Sequence, residues 1–123
     1  MTNNTILVVD DELGIRELLS EILGDEGYSV ALAENAEQAR SYRSQTRPDL
    51  VLLDIWMPDT DGITLLKDWA NSGLLTMPVV MMSGHGTIDT AVEATRVWLS
   101  GKTNPPAKAA EHGWTSHAWR QAT

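Results

Sequence analysis

Residues 50–62 read LVLLDIWMPDTDG, and this stretch decides the fold. Residues 50–53 form an uninterrupted apolar run that ends at Asp54. Such runs are typical of a parallel strand that is buried on both faces of its sheet. Asp61 and Gly62 then open a segment whose apolar residues follow a helical period. The stretch therefore predicts a buried strand, a short polar connection and a helix.

The same alternation of strand and helix extends on both sides of this stretch. Strands are predicted over residues 5–9, 29–33, 50–53 and 79–82, and helices over 13–23, from 36, from 62 and over 88–99. Gly24 and Gly27 are expected to end the first helix, and Asn35 is expected to begin the second. Repeated alternation with short connections predicts a parallel α/β sheet that is covered by helices on both faces.

Polar side chains follow three of these strands. Asp10 and Asp11 come after the first strand, Asp54 after the third and Ser83 after the fourth. In such sheets ligands bind outside the carboxyl ends of the strands, so these four residues are expected to meet at one edge. A single Asp after a strand usually makes a turn or caps a helix, whereas the joint pattern favours a functional site.

Three clustered carboxylates repel one another unless a cation is present. Mg²⁺ is the natural choice, because it takes one or two carboxylates and keeps water or phosphate oxygens as its other ligands. Beside such an ion, Asp54 can attack phosphorus as a nucleophile, and the Ser83 hydroxyl can hydrogen-bond the phosphoryl oxygens. The residues themselves thus predict a magnesium-dependent phosphoryl acceptor.

Three motifs resemble those of response-regulator receiver domains. They are VVDDE at residues 8–12, LLDIWMPDTDG at residues 52–62 and VMMSGHG at residues 80–86. The resemblance covers residues 5 to about 96, and it implies a doubly wound, flavodoxin-like α/β fold. Residues 83–92 look most like the nitrogen-regulation subfamily, whose receivers precede an ATPase that activates sigma-54 polymerase and a DNA-binding domain.

The resemblance also implies a role for each site residue. Asp54 is expected to be phosphorylated by a sensor histidine kinase. Asp11, Asp54 and the Trp56 backbone carbonyl are expected to bind Mg²⁺, with help from Asp10. Ser83 is expected to be the switch hydroxyl. The chain is accordingly expected to be a phosphorelay switch and not an enzyme with a substrate of its own.

The last part of the chain departs from the receiver pattern. We divide it into a receiver core, residues 1–96, and an atypical tail, residues 97–123. The tail shows no fifth apolar strand, no Lys-Pro pair, no switch aromatic and no clear fifth helix, so the fifth strand and helix are expected to be missing or replaced. Lys102 is a weak candidate for the absent phosphate-binding lysine.

We hypothesise that a shift of the reading frame near residue 97 produced the tail. Codons that are permitted for residues 97–105, read one base later, can spell Tyr-Gly-Phe-Leu-Glu-Lys-Pro-Ile-Pro, which contains the missing pair. Without a fifth strand, the fourth strand is expected to be an exposed edge, and self-association could follow through that edge or through the face of the fourth helix.

Composition limits the other function classes. The net charge is −8, and residues 1–96 carry six Lys or Arg against sixteen Asp or Glu, which argues against direct binding of nucleic acid. No apolar stretch is long enough to span a membrane. The absence of cysteine and of a basic leader fits a cytoplasmic protein.

Two other functions remain open. A pseudo-receiver would keep the fold as a binding module without switching, and the missing lysine and aromatic favour it. An aspartyl-nucleophile phosphatase of the haloacid dehalogenase type places a second Asp two residues after its nucleophile, and that position is Trp56 here. Phosphorylation of Asp54 separates the switch from the pseudo-receiver.

Overall fold

The computed structural model describes residues 4–55, 57–82, 92, 95 and the backbone of 114–116. The elements follow one another in the order strand, helix, strand, helix, strand, helix, strand, strand. They are β1 (Thr5–Val9), α1 (Leu13–Asp25), β2 (Ser29–Ala33), α2 (Ala36–Gln45), β3 (Leu50–Asp54), α3 (Gly62–Asn71), β4 (Val79–Met82) and β5 (Trp114–Ser116). No helix in this part of the chain has the length and apolarity that a membrane span requires.

The sheet has the strand order β2-β1-β3-β4-β5, and its first four strands are parallel. Val9 lies opposite Leu53, and Asp54 lies opposite Met82, so the strands end at nearly the same level. The parallel α/β architecture that the sequence predicts is confirmed. Its consequence is that the residues after β1 and β3 share one edge of the sheet.

Alternating strand residues build a core on each face of the sheet. On one face, Leu7, Val51 and Val79 are fully buried against α2 and α3. On the other face, strand neighbours such as Ile6 and Leu52 are fully buried against α1. Because both faces are covered, the strands contain few polar positions, as their uninterrupted apolar runs predicted.

The boundaries of the helices agree closely with the sequence, with one correction. Asn35 caps α2 by accepting a hydrogen bond from the Gln38 backbone N–H at 2.8 Å. Gly24 does not end the first helix, since α1 continues to Asp25. The chain turns instead at Gly27, whose φ of 95° is a conformation that residues with a side chain rarely adopt.

The tail supplies a short antiparallel strand where the receiver pattern has a fifth parallel strand, in line with the expectation that this strand is missing or replaced. β5 pairs with β4, with Trp114 opposite Met82 and Ser116 opposite Val80. The expectation of an exposed edge along β4 is therefore wrong over these positions, because backbone from the tail occupies it. Lys102 and the remainder of residues 97–123 lie outside the described part of the chain.

Helical residues that follow β4 lie on the α1 side of the sheet. Val92 and Thr95 are helical and buried, and Val92 packs in the same cluster as Leu19 and Leu23 of α1. A right-handed crossover to a parallel fifth strand would place this helix on the α3 side, where the step from β3 to β4 places α3. An antiparallel β5 removes that constraint, since the rule concerns parallel connections.

Candidate functional site

Three carboxylates meet at the carboxyl edge of the sheet. One oxygen from each of Asp10, Asp11 and Asp54 lies within 4.8 Å of the other two. Asp10 is buried, Asp54 is half-buried and Asp11 is exposed. At this separation two unit charges repel by about 1 kcal/mol in bulk water and about 3 kcal/mol at an effective dielectric constant of roughly 20. A divalent cation with oxygen ligands would relieve this repulsion, and the donor set fits Mg²⁺.

Asp10 also makes the local turn that such a position commonly makes. Its Oδ1 accepts a hydrogen bond from the Glu12 backbone N–H at 2.9 Å. Its own backbone N–H donates to the Ala33 carbonyl at 3.1 Å, which joins the β1–α1 connection to the end of β2. A role for Asp10 in the turn and a role in the metal site are therefore compatible, because the turn fixes the carboxylate that also belongs to the acidic cluster.

Arg16 supports this connection, and no sequence pattern pointed to this role. Its guanidinium donates to the Asp10 carbonyl at 2.8 Å and lies 3.7 Å from the carboxylate of Glu34. Only 11% of the Arg16 side chain is exposed. Its positive charge lies next to the β1–α1 connection, which carries two of the three clustered carboxylates.

Asp54 is held by close backbone packing at the end of β3. The Ile55 N–H donates to the Met82 carbonyl at 3.1 Å, and the Gly62 N–H donates to the Ile55 carbonyl at 2.6 Å. A Cβ on Gly62 would lie 2.6 Å from the Asp54 carbonyl oxygen. Glycine is required here because the start of α3 lies against the backbone of the acceptor residue.

Two further aspartates organise the β3–α3 connection. Asp61 caps α3 by accepting from the Thr64 N–H at 2.7 Å, and the backbone and hydroxyl of Thr64 hold the pKa of Asp61 below its usual value. Asp59 accepts from the first two N–H groups of α2. Desolvation raises the pKa of Asp59, but these backbone hydrogen bonds outweigh it and leave that pKa lowered.

The structure brings together Asp10, Asp11 and Asp54, three of the residues that the sequence predicts for the site. Trp56 and Ser83 lie outside the described residues, so the roles expected of the Trp56 carbonyl and the Ser83 hydroxyl stay predictions. The contact of Asp59 with α2 was not predicted, although Asp59 lies within the most specific motif. An Asp after Pro58 looks like an ordinary turn residue.

Comparison with known proteins identifies the family. The family model for the response regulator receiver domain matches residues 6–102, which include all three clustered carboxylates. The chain belongs to the response-regulator receiver family. Receiver domains are the regulatory phospho-acceptors of two-component systems; they bind Mg²⁺ at an acidic pocket and are phosphorylated by sensor histidine kinases.

Similar sequences include nitrogen regulators and a phosphotransferase. The chain is 46% identical over 93 residues to the nitrogen assimilation regulatory protein NtrX of Azorhizobium caulinodans, which covers 74% of this chain and 20% of that protein. It is 42% identical over 94 residues to sporulation initiation phosphotransferase F of Bacillus subtilis, which covers 76% of this chain and 75% of that protein. The chain thus spans about a fifth of the length of its NtrX relative.

Solved receiver structures share the fold. The receiver domain of NtrX from Brucella abortus superposes with a TM-score of 0.59 at 46% identity, covering 74% of this chain and 77% of that one. The receiver domain of the hybrid histidine kinase CckA superposes with a TM-score of 0.68 at 33% identity, covering 78% of this chain and 99% of that one. The resemblance to NtrX-type receivers that the sequence indicated is confirmed.

Proposed function

We propose that this receiver accepts a phosphoryl group on Asp54 from a sensor histidine kinase, in the presence of Mg²⁺. The observation that carries the proposal is the cluster of Asp10, Asp11 and Asp54 at the carboxyl edge of the parallel sheet. Asp11 and Asp54, with the Trp56 carbonyl, are the proposed ligands of the ion, and Asp10 assists. The bound ion would offset negative charge on the transferring phosphoryl group.

The proposed transfer forms one bond and breaks one. A carboxylate oxygen of Asp54 attacks the phosphorus of a phosphohistidine, the P–N bond breaks, and the imidazole leaves and takes up a proton. Asp54 becomes an acyl phosphate, and the Ser83 hydroxyl donates a hydrogen bond to one of its oxygens. Hydrolysis of the acyl phosphate returns the carboxylate and inorganic phosphate, so the chain has no separate substrate and serves as a switch, not as an enzyme.

The relatives support a proposal for the regulated process. We propose that this receiver normally controls a sigma-54-dependent transcription activator, as its similarity to NtrX proteins and the motif at residues 83–92 suggest. The receiver itself is proposed to bind no nucleic acid, in keeping with its net charge of −8. It is proposed to act in the cytoplasm, and to form homodimers through the face of its fourth helix.

A phosphotransfer assay tests this function. The chain is incubated with Mg²⁺ and phosphoramidate, and intact mass spectrometry measures the phosphorylated fraction. We expect one phosphoryl group per chain, lost on treatment with hydroxylamine, which cleaves acyl phosphates, and absent from Asp54→Asn. A phosphorylated fraction that persists in Asp54→Asn, or that is unchanged when a chelator removes Mg²⁺, would refute the proposal.

A pseudo-receiver is the second candidate, and the antiparallel β5 favours it. β5 occupies the edge of β4 at Val80–Met82, where a receiver of the usual pattern would carry the parallel strand that ends in its phosphate-binding lysine. If Asp54 stays unmodified while the chain is folded and binds Mg²⁺, the pseudo-receiver is the better description. The position of Trp56 gives no support to a phosphatase, since that class requires a second Asp there.

A further inference from the structure

The β1–α1 connection, residues 10–12, holds Asp11 between two fixed peptide groups. Arg16 donates from Nη1 to the Asp10 carbonyl at 2.8 Å, which fixes the peptide before Asp11. The Glu12 N–H donates to Asp10 Oδ1 at 2.9 Å, which fixes the peptide after Asp11. Because a peptide group is planar, the direction of the Asp10 carbonyl also sets the direction of the Asp11 N–H. The exposed Asp11 is therefore oriented by hydrogen bonds on both sides of it.

Arg16 is itself held in place. While Nη1 binds the Asp10 carbonyl, Nη2 lies 3.7 Å from the carboxylate of Glu34, the residue that follows β2. The Arg16 backbone N–H donates to the Glu12 carbonyl at 3.1 Å. A guanidinium is planar and presents its donors in a fixed fork, so two contacts at once restrict its orientation. One side chain thus ties the connection that carries Asp11 to the end of β2.

The charge of Arg16 and its hydrogen bond have opposite effects on a cation at the acidic cluster. A positive charge beside this connection repels a divalent cation, so the charge alone would weaken ion binding. An ordered Asp11 carboxylate would strengthen ion binding, because fewer conformations are lost when the ion is bound. Removal of Arg16 therefore tightens binding if the charge dominates and weakens it if the hydrogen bond dominates.

We propose that Arg16 is a positioning residue for divalent-cation binding at the acidic cluster, and that it acts by fixing the peptide between Asp10 and Asp11. The inference rests on the proposed function, in which Asp11 is a ligand of the ion. Mg²⁺ requires nearly ideal octahedral geometry, whereas Ca²⁺ accepts a more flexible arrangement of oxygen ligands. A displaced Asp11 carboxylate therefore costs more affinity for Mg²⁺ than for Ca²⁺, although the two ions carry the same charge.

Two substitutions separate the hydrogen bond from the charge. Arg16→Met removes both and keeps an apolar stem, and we expect the dissociation constant for Mg²⁺ to rise roughly tenfold, the lower end of the usual range when the partner of a metal ligand is removed. Arg16→Lys keeps the charge but loses the fork, and it should cause a smaller rise. Both variants keep Asp10, Asp11 and Asp54.

Arg40→Met is the matched control. Arg40 of α2 also pairs with a carboxylate, that of Asp68 at 2.8 Å. Arg40→Met removes the same charge and an ion pair of the same kind, but it leaves the hydrogen bonds of the β1–α1 connection intact. It therefore measures what a lost positive charge and a lost ion pair contribute by themselves.

Isothermal calorimetry with Mg²⁺ and, separately, with Ca²⁺ measures the affinities of the whole chain at constant ionic strength, and thermal unfolding gives the stability of each variant. Weaker binding in both Arg16 variants, greatest in Arg16→Met and larger for Mg²⁺ than for Ca²⁺, with Arg40→Met equal to wild type, would support the proposal.

Three results would overturn the proposal. They are an Mg²⁺ affinity equal to or tighter than that of wild type in either Arg16 variant, equal weakening in Arg40→Met, and the same loss of affinity for both ions. If Arg16→Met does not fold, Arg16→Lys against Arg40→Met decides. A wild-type chain that binds no Mg²⁺ would overturn the proposed metal site itself, and this inference with it.

Discussion

Gly62 shows how the absence of one side chain positions the acceptor carboxylate. The Cβ of any other residue would lie 2.6 Å from the Asp54 carbonyl oxygen and 3.1 Å from the Ile55 Cα, and both of these atoms belong to the backbone. Neither atom can move without shifting the end of β3. The position of Asp54 therefore depends on a glycine that starts the next helix.

We expect Gly62→Ala to lower the free energy of unfolding by about 1 to 3 kcal/mol, the usual cost of forcing atoms into a packed site. Gly24→Ala is the control, because Gly24 lies in α1 with no neighbouring atom within 4 Å of its Cβ position. That change should raise stability by about 0.5 to 1 kcal/mol through helix propensity. Urea denaturation measures both, and equal stability of Gly62→Ala and wild type would contradict the packing account.

Which site residues the sequence could predict depends on how far away their partners lie. Asp10, Asp11 and Asp54 were predictable because each follows a strand directly, and parallel strands end together. Asp59 was not predictable, since its partner Ala36 is 23 positions away in the sequence. Arg16 was missed for a similar reason, because nothing in an amphipathic helix marks a side chain that bonds the connection before it.

At the scale of elements, α2 is held to its neighbours at both ends. At its start Asp59 caps it from the β3–α3 connection. Near its end Arg43 donates to the Leu74 carbonyl at 3.0 Å, and Arg47 donates to the Thr76 hydroxyl at 2.9 Å. The buried residues of α2 are Ala36 and Ala39, so apolar packing contributes little to its position. The hydrogen bonds at its two ends therefore fix the helix against its neighbours.

The two capping aspartates should make stability depend on acid. Their pKa values are lowered in the folded chain, so the stability that they contribute is complete above their ordinary value of 3.8 and is lost as pH falls through the lowered values. We expect Asp61→Asn to lose most stability relative to wild type at about pH 6, and the difference to shrink toward about pH 3. Urea unfolding across this range measures it. A difference that stays constant with pH would argue against the capping interaction.

The elements that were predicted correctly have an apolar sequence pattern, and those that were not predicted lack one. β1 and β4 match the predicted bounds because buried strands require uninterrupted apolar runs, and β2 matches them although it is a partly exposed edge strand. The end of α1 was misplaced by two residues, since a glycine inside a helix costs less than the contacts that continue it. β5 could not be predicted, because a three-residue strand at a sheet edge needs backbone hydrogen bonds and no apolar pattern.

At the scale of the whole molecule, the tail decides how the sheet is completed. The antiparallel β5 pairs with β4 at Val80–Met82, and the helical residue Val92 packs on the α1 side of the sheet. Among the described residues, an antiparallel strand therefore takes the place beside β4 where the receiver pattern would supply a parallel one. The two-part division at residue 96 and the shifted reading frame remain predictions, which sequencing of the gene tests directly.

Removing the tail strand should expose an edge that favours self-association. A chain that ends at residue 112 lacks β5, whereas a chain that ends at residue 118 keeps it and is otherwise similar. We expect only the shorter chain to associate beyond a dimer, in a concentration-dependent way, in size-exclusion chromatography with light scattering. The same oligomeric state in both chains at every concentration would show that β5 does not protect the edge.

The measurement that tests the central claim most directly is a titration with Mg²⁺ followed by beryllofluoride, a phosphoryl mimic, read by tryptophan fluorescence. Trp56 lies two residues from Asp54, and Trp56→Phe identifies its share of the signal from the five tryptophans. We predict a saturable change with Mg²⁺ and a second with beryllofluoride that requires the ion, the second being lost in Asp54→Asn. No change in the folded wild-type chain, or the same beryllofluoride response in Asp54→Asn, would contradict the assignment of Asp54 and its acidic neighbours as a phosphoryl-acceptor site.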